Sequence, residues 1–357
     1  MSTTILKKAI GKKLSPKKTI RYRSSNVIQY FITSFLQDTS MEDRVIILLG
    51  PTGVGKTGAS LVLAKALDTE IISADSMVLY KKMDTATAKP TSQQLKEVKH
   101  HLIDILEPHE SFSAGLFRER ACRIITDLHT RNKIPLIVGG TGLYIRTLTQ
   151  GLFKCPEADW HLRAYLQAQE REKGDGYLYQ YLETNDQYAA QTIHPSDKKR
   201  IIRALEIHLK EKKDRHTLCS ETTPAPYQFI IIGLNRNRQE LYHIIDTRVD
   251  TMIEQGLIEE TKRLRTLATS KTAMQALGYK EINMYLHGSV SLHEAITILK
   301  KRTRHYAKRQ LTWFRKEPYI HWVDITGLYN SNEIFRKILK DVEIVRKIIY
   351  HEPKSVR

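Results

Sequence analysis

Gly50-Pro51-Thr52-Gly53-Val54-Gly55-Lys56-Thr57 decides how this chain folds. Its spacing, Gly, four residues, then Gly-Lys-Thr, is that of a phosphate-binding P-loop. The run before it, Arg44-Val45-Ile46-Ile47-Leu48-Leu49, is short and apolar, the pattern of a buried strand. The run after it, Ser60-Leu61-Val62-Leu63-Ala64-Lys65-Ala66-Leu67, reads as a helix. Strand, glycine loop and helix together make an anion site, because the loop N–H groups and the positive end of the helix dipole point at one spot. Lys56 adds a cation, and the Thr57 hydroxyl can hold Mg²⁺. The eight residues from Gly50 to Thr57 therefore read as a di- or triphosphate site. A second pattern overlaps it. Gly53-Val54-Gly55-Lys56-Thr57-Gly58 fits G-x-G-x-x-G, and Asp75 follows about 20 residues on. The register argues against a dinucleotide fold, in which the first glycine closes the strand; here Gly50 does so.

Downstream, strands and helices alternate. Glu70 to Ser76 reads as a strand with polar residues at its exit, and His101 to Leu106 as a further short strand. A helix follows from Ser113, with Phe117, Ala121, Ile124, Ile125 and Leu128 at helical spacing. Ile134 to Val138 is another buried strand, ended by Gly139-Gly140-Thr141-Gly142. Such alternation predicts an α/β fold, a P-loop parallel sheet with helices on both faces. Ligands bind at the carboxyl ends of such strands, so the P-loop, Asp75 and Thr141 are expected to share a crevice. Residues 156–222 change character. They are polar, with breaks at Gly174-Asp175-Gly176 and His194-Pro195, and read as an inserted helical domain. A strand returns at Phe229 to Leu234. Residues 238–267 read as a helix in which Arg248 lies among Ile244, Ile245, Val249 and Ile253. A long basic helix covers 292–316. It carries Lys300, Lys301, Arg302, Arg304, Lys308, Arg309, Arg315 and Lys316, with Tyr306, Trp313 and Phe314 interleaved. Cations suit phosphates and rings suit bases; the bland alternative is that the rings are only the buried face of an amphipathic helix.

Composition narrows the class. A chain of 357 residues with 41% hydrophobic residues can bury a real core, in two domains or one elaborated domain. The formal net charge of +18 points to a polyanionic partner, for which nucleic acid is the usual candidate. Cys122, Cys155 and Cys219 are widely spaced, which argues against a zinc site or a disulfide framework and fits a reducing, cytoplasmic compartment. No apolar run reaches the ~18 residues of a membrane span. Residues 1–40 hold eight Lys/Arg and one acid, Asp38. They read as a disordered basic extension: an organellar transit peptide, an RNA-contacting arm, or sequence upstream of a true start at Met41.

The motifs in order resemble a known family, the tRNA dimethylallyltransferases (isopentenyl-diphosphate:tRNA transferases). The matches run from the P-loop through Asp75-Ser76-Met77, Tyr80, Met83-Asp84 and Thr87-Ala88-Lys89-Pro90 to His100-His101-Leu102-Ile103-Asp104. They continue with Ser113 to Arg118, Val138-Gly139-Gly140-Thr141-Gly142-Leu143-Tyr144, His194-Pro195, Arg200 and Arg203-Ala204-Leu205-Glu206. Gly278-Tyr279-Lys280-Glu281, Thr303-Arg304 and Ala307 to Trp313 close the set, which covers about residues 44–316. Val78 departs from a frequent Gln, and Lys82 and Ala86 from frequent Gly.

The resemblance implies transfer of a dimethylallyl group from dimethylallyl diphosphate to N6 of adenine 37, next to the tRNA anticodon, with pyrophosphate as leaving group and Mg²⁺ held through Thr57. It implies Asp75 as general base, and Lys56, Thr141 and Arg248 on the diphosphate. It also implies tRNA contacts from Asp75, Ser76, Met77, Val78, Thr141 and Arg163, then from Lys199, Arg200, Ile201, Ile202 and Arg203. Further contacts are expected from Gln275, Ala276, Leu277, Gly278, Tyr279 and Lys280, and from Lys308, Arg309, Gln310, Leu311, Thr312, Trp313, Phe314 and Arg315. The expected layout is a catalytic core over 41–155 and 223–345, a tRNA-binding insert over 156–222 and a tail from 346. The protein is expected to act as a monomer. Two other classes stay open: a P-loop kinase or NTPase acting on a small molecule, and a non-catalytic RNA-binding protein.

Overall fold

The structure, a computed structural model, describes residues 43–153, 156–211, 217, 222–270 and 272–351. The expected extension over 1–40 lies outside the described residues. Strand β1 (Arg44–Leu49) runs into the glycine loop and helix α1 (Lys56–Ala66). Strands β2 (Ile71–Ala74), β3 (His100–His101), β4 (Leu136–Gly139), β5 (Gln228–Asn235) and β6 (Ile320–Asp324) join it. The order is β3-β2-β4-β1-β5-β6 and every pairing is parallel. β1 is apolar after Arg44 because helices cover both faces of the sheet. Val45, Ile47 and Leu49 enter one core with Phe117, Ile125, Leu128 and Phe314. Ile46 and Leu48 enter the other, with Ala59, Leu63, Ile334 and Ile338. That alternation is the period of two of an extended chain.

Short helix α2 (Ser92–Glu97) precedes β3, and α3 (Ala114–Thr130) and α4 (Gly142–Thr149) flank β4. Between β4 and β5 come α5 (Trp160–Lys173), α6 (Tyr177–Asn185), α7 (Gln187–Thr192) and α8 (Lys198–Glu211). These four share an apolar cluster of their own, including Leu166, Leu178, Leu182, Ile193, Ile201 and Leu205. After β5 come α9 (Arg238–Glu254), α10 (Leu257–Arg265), α11 (Tyr279–Leu286) and α12 (Leu292–Phe314). α13 (Ser331–Asp341) and α14 (Glu343–His351) follow β6.

Several boundaries differ from the sequence reading. The helix expected over 238–267 breaks at Gln255-Gly256 into α9 and α10. The strand expected over His101–Leu106 shrinks to two residues, because Leu102 and Asp104 take left-handed φ of 60° and 53°. A tail from 346 is replaced by α14, whose Val345 and Ile348 are buried in the second core. What matters for function is that the P-loop, Asp75 and Gly140-Thr141 all leave the sheet at the carboxyl ends of β1, β2 and β4.

Candidate active site

The N-cap of α1 is Gly55, at φ 110°, a conformation that a side chain would strain. With no side chain to cap the helix, the first-turn N–H groups stay available to an anion. Lys56 Nζ donates to Gly50 O at 2.9 Å and Pro51 O at 2.8 Å. Burial pushes the Lys56 ammonium down to about 8; the Asp75 charge opposes that shift and Arg248 adds to it. Behind the loop, buried Arg236 donates to Leu328 O at 2.7 Å and pairs with Glu240.

Asp75 follows β2. Its Oδ1 accepts from Met77 N at 2.9 Å, which fixes the turn. Thr141 supports the same turn: its Oγ1 accepts from Ser76 N at 3.1 Å, and its N donates to Ala74 O. Arg248 comes from α9. Burial lowers its pKa, and the Asp75 charge opposes the shift. Tyr306, from α12, is pushed up by burial and by the Asp75 charge, so it stays a neutral phenol. Lys56, Thr57, Asp75, Arg248, Tyr306 and Gln310 line one cavity of about 260 Å³, with Val78 and Ile103 among its apolar walls. Thr141 is not among the lining residues; its hydroxyl serves the Asp75 turn.

Thr87, Ala88 and Pro90 form another wall of this cavity. The buried Glu260 carboxylate holds the chain that leads to them, accepting from Asp84 N, Thr85 N and Thr85 Oγ1 at 3.0–3.1 Å. Lys82 in this loop takes φ 64°, which accounts for a frequent Gly at that position in the family it resembles. His100 also lines the cavity, and burial lowers its pKa. Among the described residues no group of three or more His, Cys, Asp or Glu converges to hold a metal. The exposed Thr57 hydroxyl suits Mg²⁺ all the same, since that ion takes few protein ligands and completes its shell with phosphate oxygens and water.

A second, larger groove of about 800 Å³ is basic. Arg146, Arg200, Arg238, Lys301, Arg304, Lys308, Arg309 and Lys316 line it, with Tyr242 and Trp313 between them. Not all the charge on α12 is free. Lys300 pairs with Asp250, Arg302 with Glu281 and Arg304 with Asp246. Lys308 and Arg309 are exposed and have no carboxylate partner among the described residues.

The residues expected to touch tRNA divide accordingly. Lys199, Arg200, Gln275, Lys280, Lys308, Arg309, Thr312 and Arg315 are exposed, and Leu311 and Trp313 partly so. Ile201 and Ile202 are instead core residues of the inserted helices, and Ala276, Tyr279 and Phe314 of the main core. Gly278 is buried and Leu277 packs on that core. Burial leaves the side chains of Ile201, Ile202, Ala276, Tyr279 and Phe314 no RNA surface. Met77 packs on the main core, Val78 is buried at the cavity wall, and Ser76 serves the turn. Arg163 and Arg203 both pair with Glu206, which is fully buried. Gln310 is buried and turned inward. A polar residue on a basic helix gives no sign of its orientation when its partners lie far off in sequence.

A family model described as IPP transferase matches residues 78–317. The tRNA dimethylallyltransferase of Thermodesulfovibrio yellowstonii is 50% identical over 316 residues, covering 86% of this chain and 100% of that protein. This chain belongs to the IPP transferase family. The family member of the same name from Alkaliphilus oremlandii is 46% identical over 305 residues, covering 84% of this chain and 97% of that one. The solved full-length tRNA isopentenylpyrophosphate transferase of Bacillus halodurans is 41% identical, with a TM-score of 0.60 over 87% of this chain and 100% of that one. A eukaryotic dimethylallyltransferase solved while acting on tRNA gives a TM-score of 0.72 at 28% identity, over 88% and 81% of the two chains. The expected family and its α/β P-loop fold thus both hold. Among the described residues no helix is long and apolar enough to cross a membrane.

Proposed function

We propose that this chain transfers a dimethylallyl group from dimethylallyl diphosphate to N6 of adenine 37 in tRNA and releases pyrophosphate. One observation carries the reading: a diphosphate loop with Lys56 and Arg248 shares a 260 Å³ cavity with the carboxylate of Asp75. The allylic C–O bond breaks while a C–N6 bond forms. Lys56, Arg248 and the α1 N–H groups stabilise charge growing on the departing diphosphate. Mg²⁺ on Thr57 would supply further charge neutralisation. The adenine amine is a poor nucleophile, because its lone pair is delocalised into the ring. Asp75 takes the N6 proton as the new bond forms. The base must leave its stack to reach the cavity. In this reading the basic groove holds the anticodon stem-loop, gripped between α12 and the inserted helices α5–α8, which present Arg200 to the same groove. Incubation with tRNA and dimethylallyl diphosphate, followed by nucleoside analysis, tests it. Prenylated adenosine with tRNA-dependent pyrophosphate release is the expected result. ATP hydrolysis independent of tRNA, with no modified nucleoside, would overturn it in favour of an NTPase.

A further inference from the structure

Gln310 is the place where α12 touches both loops of the cavity. The residue is 7% exposed, and each end of its amide makes a hydrogen bond. Oε1 accepts from Thr52 N in the P-loop at 2.9 Å. Nε2 donates to Gly140 O at the exit of β4, also at 2.9 Å. The amide has only one possible orientation, since Thr52 N–H can only donate and Gly140 C=O can only accept. The fit is close as well: a Cβ on Gly140 would stand 2.3 Å from Gln310 Nε2. Thr52 belongs to the loop that carries Lys56. Gly140 adjoins Thr141, whose hydroxyl holds Ser76 N beside Asp75.

We infer that Gln310 is a positioning residue, which sets the spacing between the diphosphate cradle and the carboxylate that receives the N6 proton. The inference rests on the proposed reaction and adds a residue whose role is neither charge nor RNA contact. Neither substrate need touch Gln310. Its two hydrogen bonds join loops that end different strands, so their loss lets the two half-sites drift. A misplacement near 1 Å costs on the order of 10²-fold in rate without any loss of binding. The same helix presents Lys308 and Arg309 to the basic groove, so RNA and the diphosphate loop are braced against one rigid element.

Two variants test this. Gln310→Met keeps the volume and removes both hydrogen bonds. The single-turnover rate with tRNA and dimethylallyl diphosphate should fall about 10²-fold. Dissociation constants for pyrophosphate and for an anticodon stem-loop RNA should change far less than the rate, because the cations that hold them, Lys56 and Arg248 in the cavity and Lys308 and Arg309 in the groove, all remain. Gln310→Glu adds a readout that a merely structural role would not move. Its ionised carboxylate accepts from Thr52 N but repels Gly140 O. Protonated, it has one acceptor and one donor, as the amide does. Its rate, as a ratio to wild type at the same pH, should therefore recover as pH falls from 8 to about 5.5, a window that burial brings within reach. If Gln310→Met does not fold, the pH dependence of that ratio decides alone. A wild-type rate in Gln310→Met, equal losses in rate and in both affinities, or a ratio flat with pH would overturn the role of Gln310. Wild-type protein that forms no prenylated adenosine would instead overturn the reaction itself, and this role with it.

Discussion

Lys56 and Asp75 set the chemistry at the smallest scale, and burial acts on the first. Burial lowers the Lys56 pKa from its ordinary 10.5 to about 8. A bound diphosphate favours the charged form, so binding must restore any proton already lost. Pyrophosphate affinity is expected to weaken above pH 8, by up to about tenfold per pH unit. Calorimetry in buffers of different ionisation enthalpy should show proton uptake there. A pH-independent affinity between 7 and 9.5 would count against this. The folding contribution has the opposite sign. Between pH 8 and 10.5 the unfolded chain keeps a proton that the folded chain has released, so this residue's contribution to stability rises with pH across that window. Asp75→Asn keeps the shape and removes the base. Turnover should fall by about two to four orders of magnitude, while pyrophosphate binds as well as before or better, an anionic neighbour being gone. Rapid-quench assays and titration separate the two. These residues were legible because the P-loop is a local pattern and Asp75 ends a readable strand. Gln310 and Glu260 were not, since their partners lie 258 and 176 residues away. Nor was the pairing of Arg163 with Glu206 legible, because nothing local reveals a partner 43 residues on.

At the scale of elements, α12 is two-sided. Tyr306 and Gln310 face the cavity, while Lys308 and Arg309 face the groove. Replacing Lys308 and Arg309 with Ala should raise the KM for tRNA and flatten its salt dependence by roughly 1–2 units of log–log slope. The KM for dimethylallyl diphosphate should hardly move; parallel rises in both would show that these residues shape the cavity instead. Arg304→Ala should behave differently, since Arg304 already pairs with Asp246. Less counterion release is lost there, and a salt slope as flat as that of the double variant would contradict this. The basic run of α12 was readable from its composition, but its partial neutralisation by Asp246, Asp250 and Glu281 was not. β6 escaped the sequence reading for another reason. It is an edge strand, and in Ile320–Asp324 only Val323 is fully buried, so it lacks the apolar run that announced β1.

At the scale of the whole molecule, the described residues form one compact unit that begins at β1. Protein starting at Met41 should keep its turnover on tRNA, with weaker binding at high salt as its main change, because eight basic residues are removed. Inactive or insoluble protein would show that the extension belongs to the fold. The sheet order has a consequence for how the chain is made. β1 lies in the middle of the sheet but is synthesised first, and its register pairs Arg44 with Gln228. A ribosome adds about 5–20 residues per second, so roughly 10–40 s separate the two strands. Throughout that interval the β5 side of an apolar strand stands open, while α5–α8 have only each other to pack against. The nascent chain is thus expected to be a chaperone client until Asn235 emerges, and a stall anywhere in the inserted helices leaves the phosphate loop at the open edge of a sheet with four of its six strands.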